Sequence, residues 1–294
     1  MYCRKVAVLT TLFPINAEYV GSFFSSLARQ TYVDFDVVIV NDDFGSLSML
    51  KEQFRGLNFI ELKASSSHVK NREVGINYLI ENSYEIAIFA DCDDYFSENR
   101  ISVSVEKLND CDIVVNDLVV FTDKLVVKEN FLSARFYNNQ VIEKKEIYDK
   151  NFFGLSNTSI RLKEIEKFDF PSKLQVLDWY LFTILMNRGA RAVFTNEALT
   201  FYRQHEGNFI GIADLTIEQL VRGCEIKELQ YSLLMDEFDV FEPRYRVFHK
   251  LKNDIDGEQY RLNLFKKINE NRIENPLWWE EVRPLEQLDE NKVN

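Results

Sequence analysis

Short apolar segments alternate with amphipathic segments over the first 109 residues, and this alternation constrains the fold more than any other feature of the sequence. Four segments have the length and the apolar or β-branched character of buried strands: 6–11, 36–40, 57–62 and 85–90. Three segments have helical periodicity: 17–30, 71–82 and 97–109, with Ser97 as the expected cap of the last. The alternation predicts an α/β fold in which helices cover both faces of a mainly parallel sheet.

The second half of the chain has a different pattern. The expected elements are two strands that pair in an antiparallel or mixed arrangement (112–121 and 124–128), a helix that ends at Gly189 (178–188), and two short strands (191–194 and 198–202). From residue 214 the pattern is helical and charged, and Pro243 begins a long predicted helix that breaks near Gly257. We therefore predict two domains, an α/β domain over residues 1–213 and a helical C-terminal extension over residues 214–294.

Composition argues against several kinds of partner. The chain of 294 residues has a net charge of -12, whereas a protein that binds nucleic acid needs clustered cations to neutralise phosphates. Three histidines are too few for a zinc site built from several imidazoles, and the four cysteines show no C-x-x-C spacing, which favours free thiols in a reducing cytoplasm. No apolar run approaches the roughly 20 residues that span a bilayer, so we expect no integral membrane segment.

The strand expected at 85–90 runs directly into Asp91-Cys92-Asp93-Asp94. Carboxylates this close repel one another unless a positive charge lies among them, and magnesium or manganese sites often combine one or two carboxylates with substrate phosphates. Ligands bind beyond the carboxyl ends of the strands in parallel sheets, so this cluster suits a metal–diphosphate site. A solvated acidic turn that helps to cap the next helix is an equally weighted alternative.

Two further strands of the predicted sheet also end in polar residues. The strand at 36–40 is followed by Asn41-Asp42-Asp43, and the first strand ends in Thr10-Thr11. Amide, carboxylate and hydroxyl groups at these positions can hydrogen-bond a base or a ribose, although Asn41–Asp43 taken alone is better explained as an ordinary turn. Three polar strand ends together favour a ligand site at one edge of the sheet.

In their order and spacing these motifs resemble the family 2 glycosyltransferases of the GT-A fold, over about residues 5–210. The first helix is followed by Gln30-Thr31-Tyr32 and the second strand by Asn41-Asp42, as in that family. Asn71-Arg72-Glu73-Val74-Gly75 resembles the family's Arg-Asn-x-Gly element, with Glu73 where Asn is usual. Phe89-Ala90-Asp91-Cys92-Asp93-Asp94 matches the family's metal motif at the end of a strand.

The resemblance implies an inverting, hexosyltransferase-type enzyme that moves a sugar from a nucleotide-diphosphate donor, by default a UDP-sugar, to a glycan hydroxyl group. It implies that Mn2+ or Mg2+ acts as a Lewis acid on the departing diphosphate. By the same resemblance, the residues of the nucleotide pocket are Thr10, Asn41, Asp42, Arg72, Asp91 and Arg203. The implied metal ligands are Asp91, Asp93 and His205, with Asp94 in support.

A second carboxylate is needed to accept the proton of the attacking acceptor hydroxyl group. Leu177-Asp178-Trp179 stands where the family usually has Glu-Asp at the start of a helix, so the resemblance implies Asp178 as the general base, with Leu177 in place of Glu. From the residues alone, Asp178 is better explained as a helix cap followed by a core tryptophan.

Arg203 and His205 lie in a segment that resembles the family's Tyr-Arg-x-His element. The resemblance implies that Arg203 neutralises phosphate charge and that His205 completes the metal site or contacts the diphosphate. A loop histidine that only forms hydrogen bonds is the alternative, since imidazole is not the preferred ligand of magnesium. The stretch that follows, 208–214, is a candidate loop that orders over the donor.

Other function classes agree less well with these motifs. The glycine-rich loop of sugar-nucleotide pyrophosphorylases is missing at Thr11-Leu12-Phe13-Pro14, and the acidic cluster follows a later strand than in haloacid-dehalogenase phosphatases. A sugar-nucleotide-binding protein without catalytic activity stays open because of Glu73 and Leu177. We expect a cytoplasmic protein that can act at the inner face of the membrane on a lipid-linked acceptor, and a helical C-terminal part that is compatible with a homodimer.

Overall fold

The computed structural model describes residues 5–65, 67–204 and 215–289. The chain divides into two compact units, and it passes between them more than once. The first unit comprises Met1–Glu143, Phe153–Lys173 and Gly189–Asn208, and the second comprises Lys144–Phe152, Leu174–Arg188 and Phe209–Asn294. The boundary expected at residues 213 and 214 stays a prediction; the second unit also includes two segments that precede it in the chain.

The described residues of the first unit form a ten-stranded sheet. Its strands are β1 (Val6–Leu12), β2 (Phe35–Asn41), β3 (Asn58–Lys63), β4 (Ile86–Phe89), β5 (Tyr95–Phe96), β6 (Ile113–Phe121), β7 (Val126–Lys128), β8 (Val141–Ile142), β9 (Thr158–Arg161) and β10 (Ala192–Arg203). The spatial order is β3-β2-β1-β4-β9-β6-β10-β5, with β7 paired to β6 and β8 paired to β10.

The strand directions bring several carboxyl ends to one edge of the sheet. The strands β3, β2, β1 and β4 are parallel neighbours. Because β9 is antiparallel to both β4 and β6, and β6 is parallel to β10, the strands β6 and β10 run in the same direction as β4. This α/β arrangement, with an open mixed sheet built on a parallel core, confirms the fold class predicted from the sequence.

Four α-helices occur among the described residues of the first unit: α1 (Ala17–Ala28), α2 (Ser48–Gln53), α3 (His68–Glu81) and α4 (Arg100–Lys107). The Asn16 side chain caps α1 by accepting a hydrogen bond from the Glu18 N–H, and Ser67 caps α3 in the same way. On one face of the sheet, Phe23 and Phe24 of α1 are fully buried in a core with residues of β1 and β2. Residues of β4 belong to the same core, so α1 packs against the three strands that end at the edge with the acidic cluster.

Two details of the first unit differ from the sequence expectations. Ser97 is not the cap of α4, because Asn99 holds that position and the Ser97 hydroxyl instead bonds Asn99 Oδ1 at 2.8 Å and the Leu199 N–H at 2.9 Å. The strands expected at 191–194 and 198–202 are one strand, β10, which has an irregular register between Thr195 and Leu199. The turn-like residues between them produced the expectation of two strands, whereas pairing with β6 resumes after the irregularity.

The second unit is helical. Its described α-helices are α5 (Leu177–Asn187), α6 (Ile217–Leu234), α7 (Glu242–Ile255), α8 (Glu258–Glu270) and α9 (Leu285–Asp289). Gly257 separates α7 from α8, as the sequence predicts. Trp179 is fully buried and stacks on Trp279 with ring centroids 6.5 Å apart, so Trp179 packs the core of this unit. Within the parts of the chain that the structure describes, no helix is both long and apolar enough to cross a bilayer.

Candidate functional site

The acidic cluster follows β4 at the edge where β1 and β2 also end. The Asp94 N–H donates to the Asp91 carbonyl at 3.2 Å, so residues 91–94 form a turn, which we call the acidic turn. Cys92 and Asp94 are buried in this turn, whereas Asp91 and Asp93 are partly exposed. The turn therefore presents two of its three carboxylates toward solvent and directs the third into the protein.

Arg72 of α3 forms an ion pair with Asp91, which brings two residues predicted for the site into contact. The side chains are 14% and 31% exposed, respectively. Burial is the main influence on Asp91 and raises the pKa of its carboxyl group, while the charge of Arg72 opposes this shift. Nη1 of Arg72 is buried and has no hydrogen-bond partner among the described residues.

Asp94 anchors the turn within the protein. Its side chain is 1% exposed, Oδ1 accepts the Arg203 N–H at 2.7 Å, and Oδ2 accepts the Ser156 hydroxyl. Burial, reinforced by the neighbouring Asp93, raises the pKa of Asp94 well above its usual range. Both of its oxygens are occupied by protein donors, so Asp94 supports the turn and offers little to a ligand.

Arg203, the last residue of β10, holds the same turn from another side. Its Nε donates to the Asp93 carbonyl at 2.9 Å and its Nη1 to Asp123 at 2.5 Å. The guanidinium lies 4.1 Å from the ring centroid of Tyr19 and 4.6 Å from that of Phe121. Arg203 thus contacts the acidic turn, and only 7% of its surface is exposed. Its contact with phosphate stays a prediction.

The residues predicted at the ends of β1 and β2 differ in their surroundings. Thr10 lies within β1, is fully buried, and its Oγ1 has no hydrogen-bond partner among the described residues. Asn41 Nδ2 donates to the Gly45 carbonyl and to Glu61, both at 2.8 Å, and its Oδ1 accepts the Phe44 N–H at 3.1 Å. The Asn41 amide thus holds the loop after β2, which agrees with the ordinary-turn interpretation of this segment.

Asp42, in contrast, is held at this edge by its backbone. Its N–H donates to the Leu12 carbonyl at 2.7 Å, and its side chain is partly exposed. The residue after it, Asp43, has a positive φ of 65° and is exposed. Asn41 and Asp42 are thus both partly exposed, but the hydrogen bonds of the Asn41 amide are made within the protein.

Asp178 belongs to the second unit, whereas the acidic turn belongs to the first. It is the second residue of α5, and its Oδ1 accepts the Trp179 N–H at 2.8 Å. The N-cap position is occupied by Val176, which makes no side-chain cap hydrogen bond, so the expectation of Asp178 as the cap residue is wrong by two positions. A carboxylate in the first turn still interacts favourably with the helix dipole. The role of Asp178 as general base stays a prediction.

A divalent cation at the acidic turn would have few protein ligands. Within residues 5–65, 67–204 and 215–289, no three or more His, Cys, Asp or Glu side chains are arranged to hold a metal ion. His205 and the predicted loop up to Asp214 lie outside the described residues. The partly exposed carboxylates of Asp91 and Asp93 do fit a magnesium or manganese ion that takes its remaining oxygens from a diphosphate and water.

Sequence reasoning missed Arg100 at this site. This arginine is 1% exposed, and its Nη2 donates to the carbonyl of Phe89, the last residue of β4, at 2.7 Å. A signal was present, because Arg100 is the first residue of α4 and a cation at a helix N-terminus opposes the helix dipole. Because Arg100 does not stabilise its own helix, we expect its side chain to have a role elsewhere in the structure.

The comparisons with known proteins agree with these motifs. The sequence model of glycosyl transferase family 2 matches residues 14–167. The chain belongs to this family. It is therefore a glycosyltransferase, and its fold is that of the GT-A enzymes.

Two solved structures share the fold of this family 2 glycosyltransferase. Residues 1–349 of TarS from S. aureus, solved with UDP-GlcNAc, have a TM-score of 0.60 at 18% identity over 88% of this chain and 79% of that one. A mannosyltransferase from Pyrobaculum calidifontis, solved with GDP-Man and Mn2+, has a TM-score of 0.60 at 14% identity over 92% of this chain and 77% of that one. At these identities the likeness shows the fold alone.

Two curated relatives match over part of their length. The teichoic acid poly(glycerol phosphate) polymerase of Staphylococcus epidermidis is 28% identical over 126 residues, which are 40% of this chain and 17% of that protein. An uncharacterized glycosyltransferase of Bacillus subtilis, YwdF, is 30% identical over 103 residues, 34% of this chain and 37% of that protein. The matched region thus spans well under half of either relative.

Proposed function

We propose that this family 2 glycosyltransferase transfers a hexosyl group, with inversion, from a UDP-sugar to a hydroxyl group of a glycan acceptor. The observation that carries the proposal is the acidic turn, which lies at the carboxyl edge of β1, β2 and β4 and forms an ion pair with Arg72. Ligands of doubly wound sheets bind at this edge. The similarity to a teichoic acid polymerase supports a bacterial surface polymer, which can be lipid-linked, as the acceptor.

The residues of the turn are suited to a diphosphate. Asp91 and Asp93 would hold Mn2+ or Mg2+, which would supply positive charge where negative charge develops on the departing diphosphate. The buried Nη1 of Arg72 has no partner among the described residues, and an unpaired buried donor is unfavourable. An oxygen of the donor nucleotide would complete the hydrogen bonding of Arg72.

Inversion requires attack from the face of the sugar opposite the departing diphosphate. In the proposed reaction the acceptor oxygen bonds to the anomeric carbon as the bond to the diphosphate oxygen breaks, and the Asp178 carboxylate accepts the hydroxyl proton. Asp178 is partly exposed, which leaves its carboxylate accessible to an acceptor. Its Oδ1 bond to the Trp179 N–H fixes the orientation of the side chain.

Thermal-shift measurements with a panel of nucleotides and nucleotide sugars, with and without Mn2+, test the donor site, because a ligand that binds the folded state raises its melting temperature. Asp93→Asn is expected to abolish the part of the UDP-sugar stabilisation that depends on Mn2+. Asp43→Asn is the matched control, because it removes an exposed carboxylate at the same edge, at a φ of 65° that asparagine also adopts. A full Mn2+ response in Asp93→Asn would contradict the metal assignment.

Asp178→Asn tests the base. The variant is expected to bind the donor normally and to lose turnover by roughly 100-fold to 10,000-fold, the usual contribution of general acid–base catalysis. The measurement is release of UDP from the identified donor in the presence of acceptor. Unaltered turnover would show that another group accepts the proton.

The alternative function, sugar-nucleotide binding without catalysis, depends on two departures from the family pattern, and the first of them, at Glu73, has a structural explanation. Glu73, which stands where the family usually has Asn, accepts hydrogen bonds from Lys70 Nζ at 2.8 Å and from the Phe170 N–H at 2.6 Å. These bonds give the substitution a structural role within the first unit. Leu177 is 4% exposed and packs in the second unit. Donor binding without turnover for every acceptor tested would favour the alternative.

A further inference from the structure

Arg100 is a buried cation whose immediate partners are neutral. Its Nη2 donates to the Phe89 carbonyl at 2.7 Å, its Nε donates to Asn116 Oδ1 at 3.1 Å, and its guanidinium lies 4.1 Å from the ring centroid of Phe96. The side chain is 1% exposed. A guanidinium removed from water is unfavourable unless charges nearby compensate it. Packing alone therefore does not explain an arginine at this position.

The carboxylates of the acidic turn supply that compensation. Burial lowers the pKa of Arg100 to about 9, and the negative charges of Asp94 and Asp91 oppose this shift. Neither carboxylate is its hydrogen-bond partner, so Arg100 acts on the turn through backbone and amide groups. Its bond to Phe89 reaches the chain just before the turn begins, two residues ahead of Asp91.

The same hydrogen-bond network also reaches the end of the turn. Asn116, which accepts from Arg100, donates through Nδ2 to Thr200 Oγ1 at 3.0 Å, and Thr200 donates to the Ser156 carbonyl at 3.0 Å. The Ser156 hydroxyl donates to Asp94, the last residue of the turn. Asn116, Thr200, Ser156 and Asp94 are all buried. The two ends of the acidic turn are thus connected through one buried chain of side chains from β6, β10 and the loop before β9.

We propose that Arg100 is a positioning residue for donor binding. Through Phe89 and through the chain from Asn116 to Asp94, it fixes both ends of the acidic turn and so the separation and direction of the Asp91 and Asp93 carboxylates. The inference rests on the proposed function, in which these two carboxylates hold the cation of a metal–nucleotide complex. Groups that hold metal ligands in position from behind contribute measurably to metal affinity, because they fix the orientation of those ligands.

A geometric role and a purely electrostatic role of Arg100 predict opposite results. Loss of a nearby positive charge strengthens the attraction of a divalent cation to carboxylates. Loss of the two anchoring hydrogen bonds instead loosens the ligands and weakens binding. Arg100→Met removes both the charge and the bonds, whereas Arg100→Lys keeps the charge but loses the planar fork that serves two acceptors.

The test is isothermal titration calorimetry of UDP binding with and without Mn2+. In Arg100→Met the gain in UDP affinity from Mn2+ is expected to fall by roughly 10-fold to 100-fold, the usual effect of removing a group that orients a metal ligand. Arg100→Lys is expected to show a smaller fall, and UDP binding without Mn2+ is expected to stay unchanged in both. Lys227→Met is the matched control, because Lys227 is also 1% exposed and donates to two carbonyls, but in the second unit.

Three outcomes would overturn the inference: an unchanged Mn2+ effect in Arg100→Met, tighter Mn2+-dependent binding, or an equal loss with and without Mn2+. If Arg100→Met does not fold, Thr200→Val interrupts the same chain with little change in volume and is expected to reduce the Mn2+ effect at least about threefold. A wild-type protein whose UDP affinity does not respond to Mn2+ contradicts the proposed metal site as well. If the gain in UDP affinity from Mn2+ stays at the wild-type level in both Arg100→Met and Thr200→Val, the positioning role is contradicted but the proposed metal site is not.

Discussion

The buried amino group of Lys227 allows a direct test of how the burial of an ionisable group makes the stability of the second unit depend on pH. Its Nζ donates to the carbonyls of Asp149 at 2.7 Å and Val282 at 2.9 Å. Burial lowers the pKa of Lys227 from its usual 10.5 to about 8, with Asp149 opposing the shift. Between these two values the unfolded chain binds more protons than the folded protein, so the free energy of unfolding rises with pH.

The size of this effect follows from the shift. Each unit of pKa difference corresponds to about 1.36 kcal/mol, and the part of the titration between about pH 7 and pH 9.5 amounts to about 2 kcal/mol of added stability. Lys227→Met removes the titrating group and also two hydrogen bonds, but the loss of those bonds does not depend on pH. The wild-type protein should therefore gain about 2 kcal/mol over Lys227→Met across this interval.

Urea unfolding followed by tryptophan fluorescence measures this change in the free energy of unfolding in the second unit. All three tryptophans of the chain, Trp179, Trp278 and Trp279, belong to the second unit. Thiols of the unfolded chain also titrate in this interval, but the unfolded chain has the same cysteines in the wild-type protein and in the variant, and burial raises the pKa of the neighbouring Cys224 thiol to about 12 in the folded protein. A stability difference that stays constant between the two pH values would refute the reasoning, because it would mean that Lys227 titrates normally when folded.

Two further predictions concern the first unit. Gly75→Ala should lower the free energy of unfolding by about 1–3 kcal/mol, because the added Cβ would lie 2.6 Å from Leu9 Cδ1. Gly21→Ala is the control and should be neutral or stabilising, because its added Cβ would have no other atom within 4 Å; denaturation followed by circular dichroism compares the two variants. Cys92 should react with a thiol reagent at least about 10-fold more slowly in the folded protein than in urea, because it is buried and burial raises the pKa of its thiol. Peptide mapping after timed labelling measures the two rates, and equal rates would contradict the prediction.

The parallel core of the fold was predictable because its sequence signals are local. Apolar β-branched segments and periodic helices identified β1, β2, β3 and β4 to within two residues at each end. The later strands were harder, because β9 (Thr158–Arg161) has only four residues and is held between β4 and β6 by pairing with distant segments. The sequence predicts two strands, at 191–194 and 198–202, because no local signal shows that β10 continues through an irregularity.

The candidate site was predictable only in part. Asp91 and Arg72 are 19 positions apart in the sequence, and only the family resemblance suggested that both belong to one pocket; the structure joins them in an ion pair. The contacts of Asp94 with Ser156 and of Arg203 with Asp93 connect the acidic turn to the loop before β9 and to the end of β10. No pattern in the sequence predicts such contacts, because each connects residues more than 60 positions apart.

Carboxylates as close together as those of the acidic turn repel one another unless a positive charge lies among them, and from the sequence alone this favours a bound cation. The structure supplies three guanidinium groups: Arg72 pairs with Asp91, Arg203 bonds the Asp93 carbonyl, and Arg100 lies in the buried network behind the turn. Repulsion alone therefore does not demand a metal ion. What these arginines favour is a ligand that brings its own negative charge. Bound to UDP, a divalent cation leaves net negative charge, and bound to a UDP-sugar it leaves none, whereas the bare ion adds two positive charges. We therefore expect the acidic turn to select the metal–nucleotide complex over the bare ion.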